Sequence, residues 1–200
     1  MYKPAINRSA LIQRLDFAMT KKDVVAIADA LLECEVYPNE VLAIAVESKG
    51  ATAFHAAWVL ENMLVAIPEA LDYYLPDIVA QLSLTTNASV QRHLLKLTAI
   101  GIKRIIKRET SRTMEREFWR MNLEPLEESC FLWLVDCNSK PAVKVHCMEI
   151  LYLLSYRQKW IAEELPHVIE SQMNIGGPAI AARGKEVLKS LSKKRNVRTW

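Results

Sequence analysis

The chain contains one five-residue pattern twice, as Leu75-Pro76-Asp77-Ile78-Val79 and as Leu165-Pro166-His167-Val168-Ile169. In both copies a branched apolar residue lies fifteen positions after the leucine, at Val90 and at Ile180, and opens a new amphipathic segment. The same internal spacing, used twice, is the signature of a repeated structural unit. It predicts a helical hairpin that recurs along the chain.

Apolar spacing predicts helices almost everywhere and no alternating strand, so we expect an all-α fold. Prolines, glycines and asparagines separate the predicted helices by short links, which make neighbouring helices antiparallel. Ten helices, or about five hairpins, are predicted over residues 8–19, 22–34, 38–48, 51–66, 69–84, 88–108, 124–137, 141–155, 158–172 and 178–192.

Several second helices carry two apolar stripes. In the helix after Asn87, one stripe begins at Val90 and a second begins at Leu95. A helix with two apolar faces must be covered on both sides, as in a stack of hairpins. The last helix has a single stripe, namely Ile180, Gly184, Val187 and Leu191, which is typical of a polar end cap.

The repeated Leu-Pro pattern, followed by a turn and an apolar residue that opens a second helix, resembles the HEAT repeat of the armadillo-like α-solenoid class. Equivalent starts at Phe54, Val90, Val143 and Ile180 are 36, 53 and 37 residues apart. The middle interval is longer by about one helix, where the chain is rich in arginine. The resemblance implies a right-handed α-α superhelix of about five antiparallel hairpins.

We expect a single helical repeat domain over residues 1–192. Within it, residues 1–37 are an N-terminal cap or a degenerate repeat, and residues 108–124 are an insertion. Residues 193–200 are predicted to form a basic C-terminal tail.

The composition excludes several classes of protein. The longest apolar runs are far shorter than the roughly 20 residues of a membrane span, and the N-terminus has no secretory pattern. The four cysteines lie within helical apolar patterns, as reduced thiols of an intracellular protein do. A cytoplasmic protein without disulfides is expected.

Positive charge is concentrated in two segments. Residues 103–120 contain seven Lys or Arg and three Glu, and residues 183–200 contain seven Lys or Arg and one Glu. Because the net charge of the chain is +3, the remainder is acidic. Such separation can attract acidic partners at two places.

The first basic segment carries an arginine at every fourth position. On one continuous helix these side chains would form a slowly winding cationic ridge, whose guanidinium groups suit phosphates and carboxylates. The competing interpretation is a solvated helix balanced by Glu109, Glu115 and Glu117. The candidate residues for binding a partner or an anion are Arg104, Arg108, Arg112, Arg116, Arg120, Lys193, Lys194 and Arg195.

Two pairs, Trp58 with Glu61 and Trp133 with Asp136, place an aromatic ring one helical turn from a carboxylate. This arrangement resembles that of the alkylpurine DNA glycosylases, which are HEAT-like proteins, so an enzyme is one alternative. The tryptophans lie in apolar runs, however, and large aromatic residues at helical spacing usually belong to the core.

No nucleophile motif, phosphate-binding loop or dinucleotide signature occurs in the sequence. Cys130, Cys137, His146 and Cys147 lack the spacing of a metal site. We therefore expect no catalytic residue, no bound metal and no cofactor.

The function predicted from the sequence is that of a non-catalytic scaffold or adaptor that binds a macromolecular partner, most often a protein. The alternative is a nucleic-acid-binding protein that uses the basic tail and the arginine ladder, by which we mean Arg104, Arg108, Arg112, Arg116 and Arg120. The number of copies in the assembly is left open.

Overall fold

The computed structural model describes the backbone of residues 7–197 and the side chains of residues 7–193. This part of the chain contains eleven α-helices and no strand, which confirms the predicted all-α class. The helices are α1 (Arg8–Leu15), α2 (Lys21–Glu33), α3 (Pro38–Glu47), α4 (Gly50–Ala66), α5 (Pro68–Leu82), α6 (Ala88–Ile106), α7 (Arg112–Arg120), α8 (Glu124–Val135), α9 (Pro141–Leu154), α10 (Lys159–Met173) and α11 (Gly177–Val197).

All ten predicted helices are present, and the eleventh, α7, occupies the predicted insertion. It is the extra helix that lengthens the middle repeat interval. The last helix continues to Val197, five residues beyond the predicted end of the helical array. Contacts between Cα atoms divide the chain into two compact units, Met1–Leu97 and Thr98–Trp200. The predicted single domain with its cap and tail stays a prediction.

In the first unit, α4 is the central helix and contacts α1, α2, α3 and α5. It can do so because Ala53, Ala56 and Ala57 are fully buried and let neighbouring helices approach closely. A polar contact adds to this packing, since the His55 ring nitrogen Nδ1 lies 2.7 Å from the carbonyl oxygen of Leu15 at the end of α1.

In the second unit, α9 is the central helix and contacts α8, α10 and α11. Buried residues lie on two sides of α9, with Val143, Cys147 and Ile150 on one side and Met148 and Leu151 beside them. Lys144 also donates a buried hydrogen bond of 2.8 Å to Gln172 of α10. The single stripe predicted for α11 is also buried. Gly184 in that stripe allows α11 to pack closely on Met173, whose Cγ would lie only 2.6 Å from an added Cβ.

The repeated Leu-Pro pattern occupies the same place in both units. It lies in the middle of α5 and of α10, which are both 15 residues long. Leu75 and Leu165 are buried, while Pro76 and Pro166 lie inside the helices, where a proline removes one backbone hydrogen bond and bends the axis. The helices that follow begin their buried faces at Val90 and Ile180, as predicted.

Candidate functional site

A cavity of about 740 Å³ lies beside α7 in the second unit. Its wall contains five arginines, one carboxylate and one indole, and is therefore strongly positive. The lining residues are Arg108, Thr110, Arg112, Glu115, Arg116, Trp119, Arg120 and Arg157. We refer to it as the arginine cavity.

The turn between α6 and α7 interrupts the arginine ladder. Arg108 donates its backbone N–H to the carbonyl of Ile105 (3.0 Å), and Glu109 donates to the carbonyl of Arg104 (2.9 Å). This pair of bonds is a Schellman motif, and it places Arg108 in the left-handed conformation with φ of 59°. The continuous helix on which the ridge hypothesis relied therefore does not form.

Helix α7 starts immediately after this turn. Ser111 caps it by accepting a hydrogen bond of 3.2 Å from the backbone N–H of Met114. Residues four apart on a helix lie on nearly the same face, so Arg112, Arg116 and Arg120 all line the cavity. Phe118 is buried and anchors the opposite side of α7.

Nearby carboxylates do not neutralise these arginines. Glu109 lies 3.6 Å from both Arg104 and Lys107, and Glu115 lies 3.5 Å from Arg157. The four remaining arginines form no ion pair with any residue in the described part of the chain; they are Arg108, Arg112, Arg116 and Arg120. Two of the three glutamates named in the competing interpretation, Glu109 and Glu115, thus pair with basic residues, but not with these four arginines.

Arg157 and Trp119 also line the cavity and contact each other. Arg157 follows α9, and its guanidinium carbon lies 5.3 Å from the centre of the Trp119 ring, a cation–π contact. Trp119 also packs edge-on against Phe118, with 5.1 Å between the ring centres. In the same wall, the buried hydroxyl of Thr110 has no hydrogen-bond partner among the described residues.

The structure brings together some of the predicted binding residues and separates others. Arg108, Arg112, Arg116 and Arg120 converge on one cavity, whereas Arg104 is engaged with Glu109 and does not line it. Lys193 is exposed near the end of α11, and the side chains of Lys194 and Arg195 lie outside the described residues. Trp119 and Arg157 were not predicted, although the tryptophan stands one position from Arg120 in the sequence.

The first Trp and carboxylate pair is held by neighbouring side chains in the first unit. Trp58 packs against Phe54 at 5.6 Å, and the carboxylate of Glu61 accepts hydrogen bonds from His93 (2.7 Å) and Lys96. Burial acts to raise the pKa of Glu61, but these two hydrogen bonds and charges lower it below the usual value. Glu61 is therefore an ionised carboxylate whose oxygens are both occupied.

The second pair has a structural role in the other unit. Asp136 ends α8, and its Oδ1 accepts hydrogen bonds from the backbone N–H of Asn138 (3.0 Å) and from its side-chain amide (3.3 Å). Such a bond between an aspartate and the chain two residues later stabilises a turn. The carboxylate of Asp136 shapes the link between α8 and α9.

The cysteines and histidines of the described residues form no cluster that could hold a metal ion. All four cysteines are free thiols. Cys147 is fully buried in α9, and this burial, together with a hydrogen bond to Cys130, raises the pKa of its thiol well above the usual value. The Cys147 thiol therefore stays protonated and serves as a small apolar group.

A family model described as the HEAT repeat domain matches residues 11–191, which is most of the chain. No curated protein and no solved structure gives a significant match. Among the helices of residues 7–197, none combines the length and the apolar character needed to cross a bilayer.

Proposed function

The chain belongs to the HEAT repeat family, and on this premise we propose that it is a non-catalytic adaptor that binds an acidic segment of a partner protein in the arginine cavity. HEAT repeats commonly serve as scaffolds for protein interaction. A stack of hairpins provides a rigid surface on which exposed side chains keep fixed positions.

One observation carries this proposal. Four arginines at a single cavity have no carboxylate partner among the described residues. Like charges held close together repel one another, so such a cluster lowers stability unless an anion neutralises it. An acidic segment would supply carboxylates, with which guanidinium groups form paired hydrogen bonds.

The composition of the rest of the chain agrees with a protein partner in the cytoplasm. The cysteine Cys137 is exposed and free, as is usual in a reducing compartment. The acidic remainder of the chain would repel a long polyanion outside the cavity, whereas a short acidic segment would meet only the cavity itself.

The test measures binding of a fluorescein-labelled peptide rich in Asp and Glu by anisotropy. The variant Arg112→Gln/Arg116→Gln/Arg120→Gln should bind at least about tenfold more weakly, because each lost charge-assisted contact contributes on the order of 1 kcal/mol or more. The control Arg14→Gln/Lys49→Gln/Arg92→Gln removes the same charge from exposed positions of the first unit and should bind like the wild type. Equal loss in both variants would reduce the effect to net charge and contradict a specific site.

Nucleic acid is the second candidate, favoured by the indole of Trp119 among the arginines. Aromatic rings beside cationic groups are the usual platform for an unpaired base. Binding of a single-stranded oligonucleotide would weaken steeply with salt, in proportion to the number of phosphates neutralised. If the oligonucleotide binds more tightly than the acidic peptide, and Trp119→Leu removes that binding, this second function replaces the first.

A further inference from the structure

We infer that the arginine cavity selects a phosphorylated serine or threonine of the partner protein over an unmodified acidic side chain. This inference rests on the proposed function and names the chemical group that occupies the site. It would make the adaptor a reader of phosphorylation.

The charge of the wall exceeds what one carboxylate can balance. Five arginines and one glutamate line the cavity, and the glutamate is already engaged with Arg157 at 3.5 Å. A phosphomonoester carries close to two negative charges at neutral pH and offers three terminal oxygens. It can accept hydrogen bonds from several guanidinium groups at once, whereas a carboxylate has only two oxygens.

The arginines also approach from different elements of the second unit. Arg108 lies in the turn before α7, Arg112 and Arg116 lie on α7, and Arg157 follows α9. Together they line a half-open cavity of about 740 Å³, a volume in the range of small-molecule sites. Arginines from several elements can contact one phosphate group from more than one direction.

The N-terminal end of α7 adds to the positive electrostatic potential at the arginine cavity. Arg112 is the first residue of the helix and lines the cavity. The N-terminal end of a helix carries a partial positive charge and favours an anion, a phosphate above all. The arginine cluster carries the argument, and the helix end reinforces it.

Trp119 gives the cavity one apolar wall. Its ring contacts Phe118 edge-on and the Arg157 guanidinium through a cation–π contact. A fixed indole can pack against the carbon atoms next to a phosphate, such as the methyl group of phosphothreonine. It also holds the Arg157 guanidinium in place, which lowers the entropy lost when that group binds an anion.

Three peptides of one sequence, with phosphoserine, glutamate or serine at the central position, test this inference by anisotropy titration. The phosphorylated peptide should bind about tenfold more tightly than the glutamate peptide, and the serine peptide more weakly still. Inorganic phosphate should displace the phosphorylated peptide at lower concentration than chloride does.

Two conservative variants separate geometry from charge. Arg116→Lys keeps the charge but loses the planar fork, so the preference for phosphoserine over glutamate should fall to within about threefold. The matched control Arg92→Lys changes an exposed arginine of the first unit and should leave the preference unchanged. Circular dichroism melts of both proteins check that they are folded.

The outcomes are distinct. Equal affinity for the phosphoserine and glutamate peptides would overturn this inference and leave the proposed adaptor function in place. No binding of any peptide by the folded protein would overturn both. Tighter binding of a single-stranded oligonucleotide than of the phosphorylated peptide, lost in Arg116→Lys, would also overturn the inference and support nucleic acid as the partner.

Discussion

The carboxylate of Glu115 and the guanidinium of Arg157 form an ion pair in the wall of the arginine cavity, with 3.5 Å between Oε1 and Nη2. It joins α7 to the turn after α9, although the two residues are far apart in the sequence. It also means that the one carboxylate in the wall competes with any anionic ligand for Arg157.

We expect Glu115→Gln to tighten the binding of an anionic peptide by about threefold or more, because it removes one negative charge and releases a guanidinium group. Titrations at low salt would measure the change, and it should diminish as salt rises. The control is Glu117→Gln, on the exposed part of α7 and outside the cavity. Equal gains in both variants would show that the effect is one of general charge and not of the ion pair.

Arg108 should lower the stability of the protein while it contributes to anion binding in the cavity. An L-residue in the left-handed region is about 1 kcal/mol less favourable than glycine. Replacement by glycine, Arg108→Gly, should therefore raise the free energy of unfolding by about that amount while it weakens anion binding severalfold. Urea denaturation and peptide titration measure the two effects.

A matched control exists in the first unit. Glu35 follows α2 with φ of 57° and the same pair of hydrogen bonds, from Glu35 N–H to Leu32 (3.1 Å) and from Val36 N–H to Leu31 (3.0 Å). Glu35→Gly should stabilise to a similar extent and leave anion binding intact. A loss of stability in Arg108→Gly would contradict the assignment of backbone strain to this turn.

Glu61 should make the protein less stable in acid. Its pKa in the folded protein lies below the usual value of 4.5, since His93 and Lys96 stabilise the ionised form against the effect of burial. This contribution is present above pH 4.5 and is lost as the pH falls through the lowered pKa. Glu61→Gln should cost about 1.5–3 kcal/mol at pH 7, and the difference from the wild type should shrink in acid.

Urea midpoints measured at several values between neutral and acidic pH test this prediction. Glu69→Gln on the exposed part of α5 serves as the control. Parallel pH profiles for Glu61→Gln and the wild type would contradict the role given to this partly buried carboxylate.

Glu127 should have the opposite effect to Glu61 on how stability depends on pH. It is buried in α8, its Oε1 has no hydrogen-bond partner among the described residues, and burial followed by the nearby charge of Glu124 raises its pKa. A carboxyl whose pKa is raised in the folded state stabilises that state at pH values below its usual pKa of 4.5. This stabilisation is lost as the pH rises through the raised pKa. Glu127→Gln should therefore stabilise the protein at pH 7.

The stability gain of Glu127→Gln should disappear near pH 3, where the wild-type carboxyl is protonated in both folded and unfolded states. Thermal melts at acidic and neutral pH measure it. A constant difference at both pH values would mean that the amide changes packing and not charge.

Much of the helical architecture could be predicted because it depends on local features. The prolines at Pro38, Pro68 and Pro141 each stand at the first position of a helix, where a missing N–H has no cost. Burial on two sides of α6 and of α9 follows from apolar residues at helical spacing. Apolar periodicity did not predict helix α7, because its apolar face is short and centred on Phe118.

The sequence by itself determined the helical repeats and the concentration of arginine in one segment, since both depend on residues near one another in the chain. Tertiary structure decided that Arg157 meets Trp119 and pairs with Glu115 at the arginine cavity. Periodicity describes only which face of a helix a side chain occupies. Which charges face one another depends on contacts between helices distant in sequence, and these are set by the packing of the buried faces.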